Sequence, residues 1–202
     1  MKIPYLSYSN VRDEALSFLS KFHPSHDLPI PIETIIDVQL GINIFPLPRL
    51  YKDHGQNGYL SRDRKTIYID DLQYEQLNEK YRFTLAHELA HYVLHKDCYD
   101  QVIYTSCEEY IKWRLSVDPE KIGWLDTQAQ WFAGIILVPT EQLKKCCQHI
   151  IEKYKNKLPG INLRSDDFWS YASNEIAKHF DVNPPVVEIR IKKENIAQEI
   201  KF

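Results

Sequence analysis

Apolar residues recur at helical spacing along most of this chain, and one stretch before residue 70 alternates as strands do. Val11, Ala15, Leu16, Leu19 and Phe22 form one stripe, with Asn10 placed to cap the helix and the prolines between 24 and 31 ending it. Residues 31–40 read as a second, short helix closed by Gly41. Residues 42–45 alternate as a strand before the Pro46 and Pro48 break. A polar turn at 53–58 leads into strands at 59–61 and 66–69, joined by a charged turn at 62–65. From Tyr81 the period becomes helical: Phe83, Ala86, Leu89, Ala90, Val93 and Leu94 mark a helix ending near Lys96. Further helices are expected at 107–117 and 124–139. Another begins at a Thr140 cap and runs through Leu143, Cys147, Ile150 and Ile151 to Tyr154. After a break at Pro159 and Gly160, Asp166 or Asp167 starts a helix through Phe168, Tyr171, Ile176, Ala177 and Phe180. Asn183, Pro184 and Pro185 start a last short one. The division this suggests is a main domain at 1–158 and a small helical extension at 159–202 packed on it.

The helix starting near Tyr81 carries His87-Glu88-Leu89-Ala90-His91. Residues four apart on a helix lie about 40° apart in azimuth and about 6 Å apart along the axis, so His87 and His91 can bind one ion. Glu88 lies on a neighbouring face, where it can reach a water on that ion without being a ligand. A tetrahedral catalytic zinc takes three protein ligands and leaves one position open. A third histidine six residues beyond His91 is excluded, because Asp97 stands there. On the 124–139 helix, Asp126, Ala129 and Ala133 share a stripe, and the two alanines let that helix approach the histidine helix closely. Asp126 then points at the metal, or else it is an acidic residue of its helix's first turn, favoured by the dipole. His95 lines the cleft or orients a ligand from behind, or else it caps its helix or packs into the core. His54 is an alternative ligand only if its loop folds back. His23, His26, His149 and His179 have no partner spacing and read as surface residues, and Arg82 reads as an ion-pair or helix-start residue.

Composition narrows the picture further. With 202 residues, 44% of them hydrophobic, the chain can bury a core of its own. A net charge of −3 supplies no field to draw it onto nucleic acid or anionic lipid, and Arg190, Lys192 and Lys193 are too few to indicate DNA contact. The longest apolar run, 131–138, is far short of the roughly 18 residues that span a bilayer, and the first residues lack a signal-peptide core. A cytoplasmic protein without membrane contact is expected. Cys98, Cys107, Cys146 and Cys147 lack thiolate-site spacing and read as reduced thiols.

The stretch Arg82-Phe83-Thr84-Leu85-Ala86-His87-Glu88-Leu89-Ala90-His91-Tyr92-Val93-Leu94-His95, followed by Ala129-Gln130-Trp131-Phe132-Ala133 and Leu137-Val138-Pro139, closely resembles the ImmA/IrrE-type metallopeptidases. The likeness is strong over residues 58–139. It implies a zinc-dependent endopeptidase acting on a protein partner, a helix-turn-helix transcriptional repressor of phage, mobile-element or stress-response type. It also implies that an acidic residue at position 126, usually Glu in the family, supplies the third ligand. Zn²⁺ held by His87, His91 and Asp126, with Glu88 as general base, is the resulting expectation. A non-catalytic regulatory or DNA-associated protein keeping the same fold is the alternative, and the intact Glu88 argues against it, since a structural zinc needs no base. The expected fold is α+β, a small three-stranded sheet packed on a helical zincin-like core with a C-terminal helical extension.

Overall fold

The computed structural model describes residues 3–25, 27–155, 157, 160 and 162–200. Helix α1 (Tyr8–Phe22) starts one turn before the first apolar residue of its stripe. Ser7 is its cap: the Ser7 hydroxyl accepts from the Asn10 N–H, and the Asn10 side chain accepts from the Ser7 N–H. Asn10, expected as the cap, is thus the reciprocal partner three residues inside. The short helix expected at 31–40 divides into α2 (Ile32–Thr34) and a π-helical turn (Ile35–Gln39) before Gly41, whose φ of +66° suits glycine.

Strands β1 (Asn43–Leu47), β2 (Gly58–Leu60) and β3 (Thr66–Asp70) form one sheet in the order β1-β3-β2. β1 runs parallel to β3 and β2 antiparallel to it. β1 continues through Pro46, where a break was expected. It is an edge strand, and a proline there need not donate to a neighbour. Helix α3 (Leu50–His54) replaces the first part of the expected polar turn, and α4 (Asp71–Gln76) follows β3 directly.

Helices α5 (Asn78–Leu94) and α8 (Pro119–Leu137) are the central pair, with Leu85, Ala86, Leu89, Ala90, Ala129, Phe132 and Ala133 fully buried. The small residues on facing stripes allow the two backbones to approach, as their spacing predicted. Between them lie α6 (Lys96–Tyr99) and α7 (Cys107–Ser116). After α8 come α9 (Thr140–Tyr154), α10 (Asp166–Phe180), α11 (Pro184–Lys193) and α12 (Ile196–Glu199). Thr140 is not the cap of α9. Pro139 holds that position, and the Thr140 hydroxyl instead accepts from Arg190 at 2.9 Å. On α10, capped by Ser165, Tyr171 faces outward at 68% exposure rather than joining the apolar stripe. The expected break at 159 falls on a residue outside those described.

Two close contacts fix how the layers meet. A Cβ on Gly58 would lie 2.8 Å from the Tyr68 carbonyl oxygen and 2.9 Å from the Thr84 side chain, so β2 can sit against α5 only because that position is glycine. Gly58→Ala is expected to lower stability by about 1–3 kcal/mol, the usual cost of overpacking, read as a shift in urea midpoint at unchanged slope. At the far end of α8, the buried Arg190 bonds the Val138 carbonyl, the Thr140 hydroxyl, the Tyr8 hydroxyl and the Glu194 carboxylate.

Candidate metal centre

One turn of α5 brings three donor groups together. The Nε2 atoms of His87 and His91 stand 3.2 Å apart, and these two imidazoles and the Glu88 carboxylate offer ligand atoms all within 4.8 Å of one another. Two nitrogens on a tetrahedral zinc, each about 2.0–2.1 Å from it, are about 3.3 Å apart, so the histidine pair already has the required spacing. Glu88 Oε2 is buried without a hydrogen-bond partner among the described residues. Burial pushes the Glu88 carboxyl up to about 8, while Arg114 opposes the shift. Desolvation holds His87 down at about 4 and His91 well below its ordinary value, so both imidazoles are neutral, the form in which they ligate. The donor set and the orphaned carboxylate oxygen fit a zinc-type ion.

Asp126 lies beside this cluster, its Oδ1 4.0 Å from His87 Nε2. Helix α8 begins at Pro119 behind an Asp118 cap, so Asp126 sits two turns in and is not a first-turn residue. Arg114 of α7 engages both of its oxygens, Nη1 to Oδ1 at 3.2 Å and Nη2 to Oδ2 at 2.6 Å, and Nη1 also donates to the Tyr110 hydroxyl at 3.3 Å. Desolvation disfavours the charged guanidinium, but Tyr110 and Asp126 outweigh it and raise its pKa.

His87, Glu88, Tyr110, Arg114 and Asp126 open into one cleft of about 330 Å³ together with the 55–58 loop. That loop is held from behind by a buried chain in which Thr84 donates to Gln73, and Gln73 donates to the Asn57 side chain at 2.8 Å. Helix α7 is held over the site by stacked rings, Tyr110 on Tyr59 and Tyr59 on Tyr68, both with centroids 4.7 Å apart. The segment between His95 and Asp126 supplies one wall of this cleft through Tyr110 and Arg114. Nothing in its spacing fixed which side chains did so. Tyr110 and Arg114 were missed, although their four-residue separation on a short helix was the available signal.

His95 is the C-terminal cap of α5, yet it is only 1% exposed and bonds His91 rather than solvent. His54 ends α3 and lies outside the His87–Glu88–His91 cluster. Arg82 joins Asp181 and the carbonyls of Ile30 and Asp181, a packing role as expected. Arg190 is buried, and Lys192 pairs with Glu188 and Asp166. His26 lies outside the described residues. No helix among the described residues is long and apolar enough to cross a membrane.

The family model described as the IrrE N-terminal-like domain, a peptidase family, matches residues 38–192. The chain belongs to that family. The match begins just before β1, ends in α11, and takes in every residue of the cleft. It gives this IrrE-like peptidase a metallopeptidase-type function, in keeping with the histidine and carboxylate donors on α5. No curated protein matches the chain.

Proposed function

We propose that this IrrE-like peptidase is a cytoplasmic zinc endopeptidase that hydrolyses a peptide bond in a protein partner, a helix-turn-helix repressor of phage, mobile-element or stress-response type. The observation that carries the reading is that His87 and Glu88, with its partnerless buried oxygen, line one open cleft while His91 Nε2 stands 3.2 Å from His87 Nε2. The repressor as substrate rests on the family resemblance of the sequence.

His87, His91 and Asp126 would hold the zinc. When bound, the ion supplies a water that loses its proton near neutral pH and a Lewis acid for the scissile carbonyl. The charge of a bound ion would offset the burial that holds Glu88 neutral in the metal-free fold, and the ionised carboxylate would take that proton at its orphaned oxygen and deliver it to the departing amide nitrogen. Asp126 needs only one oxygen for the metal, so its other oxygen can stay on Arg114. The guanidinium, released from one of its two bonds, is then free to face the carbonyl oxygen as negative charge develops there. Tyr110 keeps the guanidinium from swinging away.

Elemental analysis of the purified chain is expected to find about one zinc per chain. Incubation with a helix-turn-helix repressor is expected to give discrete fragments, blocked by a chelator and restored by added zinc. A folded chain that neither contains zinc nor takes it up would overturn the reading.

A further inference from the structure

A chain of hydrogen bonds runs behind His91, away from the cleft. His91 Nδ1 is 2.9 Å from His95 Nδ1, His95 Nε2 is 3.1 Å from Gln128 Oε1, and Gln128 Nε2 is 3.0 Å from the Pro4 carbonyl oxygen. Gln128 is fully buried, His95 is 1% exposed, and His91 is 4% exposed, so water does not compete for these bonds. Tyr5 sets the edge of its ring against Trp124 at 5.0 Å, which keeps the Pro4 carbonyl on α8.

The direction of the whole chain follows from its last member. A carbonyl oxygen can only accept, so Gln128 must present its NH₂ to Pro4 and its oxygen to His95. Turning the amide over would set two oxygens face to face. His95 must therefore carry its proton on Nε2, and a neutral His95 has only a lone pair to offer at Nδ1. His91 must then donate from Nδ1, which leaves its own lone pair on Nε2, the nitrogen that faces His87.

We propose that Gln128, anchored on the Pro4 carbonyl, acts through His95 to fix the tautomer of His91, so that Nε2 is always the nitrogen free to bind a metal. Gln128 and His95 are positioning residues: neither reaches the cleft, and both act by deciding where one proton sits. Outer partners of this kind tune metal affinity by orienting the ligand and selecting its tautomer. The assignment of Nε2 does not depend on a metal being bound. Only its use rests on the zinc reading.

Long-range ¹H–¹⁵N correlation spectra of the chelator-treated full chain at neutral pH test it directly. Wild type is expected to show His91 as the Nδ1–H tautomer and His95 as the Nε2–H tautomer. In Gln128→Leu both rings are expected to show averaged shifts from mixed tautomers, and zinc affinity in a competition titration falls about 10- to 100-fold. Gln128→Glu, held neutral by burial, keeps an oxygen for His95 and turns an O–H to the Pro4 carbonyl, and is expected to retain the wild-type tautomers, a rescue that a merely space-filling residue would not give. His91 found as Nε2–H in wild type would overturn the proposal, as would a Gln128→Leu protein with unchanged tautomers and zinc affinity. The wild-type spectrum decides the proton's place by itself if a variant fails to fold. Correct tautomers in a chain that takes up no zinc would uphold the relay while removing the peptidase reading, so the two fail separately.

Discussion

Glu88→Gln is expected to lower turnover by about 10²- to 10⁴-fold while zinc stays bound at the wild-type level, because in the proposed mechanism the side chain moves the proton and does not carry the ion. Cleavage assays beside elemental analysis read the two effects apart, and loss of zinc together with activity would make Glu88 a ligand. The same substitution has a second consequence in chelated protein. Glu88 is held neutral in the fold up to about 8, whereas in the unfolded chain a glutamate ionises near 4.5. Between those values the unfolded chain binds fewer protons than the native one, so wild-type stability falls as pH rises through that window and levels off above it. Glutamine has no proton to lose. The melting temperature of Glu88→Gln should therefore gain on wild type from pH 5 to pH 8, and the two should converge below pH 4.5. Parallel curves across that range would mean that Glu88 is ionised within the fold.

Asp126→Ala carries the next largest effect, and it acts twice. As the proposed third ligand its loss should weaken zinc by at least about 100-fold, beyond the 10- to 100-fold typical of outer partners. As the partner of Arg114 its loss strands a guanidinium that is 20% exposed and held within the cleft wall. Removing one member of a deeply buried pair costs about 3–5 kcal/mol, and this pair, with Asp126 28% exposed, should cost about 1–3 kcal/mol once screening is allowed for. Asp126→Asn separates the two roles, since it keeps a carbonyl oxygen for Arg114 but is a poor metal ligand. Competition titrations should rank zinc affinity as wild type, then Asp126→Asn, then Asp126→Ala. Urea unfolding of the chelated proteins should place Asp126→Asn between the other two. Wild-type zinc affinity in Asp126→Ala would move the third ligand elsewhere.

Much of this centre was legible in the chain because helical periodicity is a local property. The spacing of His87, Glu88 and His91 needed only 3.6 residues per turn, and the Ala129 and Ala133 stripe announced a close partner helix. Legibility stopped where position depends on distant chain. Ser7 rather than Asn10 caps α1, and Pro139 rather than Thr140 precedes α9, because cap identity is decided by backbone angles that residue type only biases. β1 runs past Pro46 because it lies at the edge of a sheet whose order no local pattern reveals. Arg114 and Gln128 escaped for a related reason. A polar residue on a helix reads as solvated until the element covering it is known, and here Asp126 covers one and His95 with Pro4 covers the other.

The Arg190 cluster at the end of α8 bears on how the protein is made. One guanidinium receives the first helix through Tyr8 and the close of α8 through Val138, and its aliphatic stem lies 3.2 Å from where a Cβ on Gly134 would be. The helix that presents Asp126 and Gln128 is thus braced at its far end by a side chain synthesised more than fifty residues later. A nascent chain still on the ribosome has the histidine helix and its partner but not this brace. The seating of Asp126 and Gln128 thus draws on contacts that exist only once residue 190 has been made.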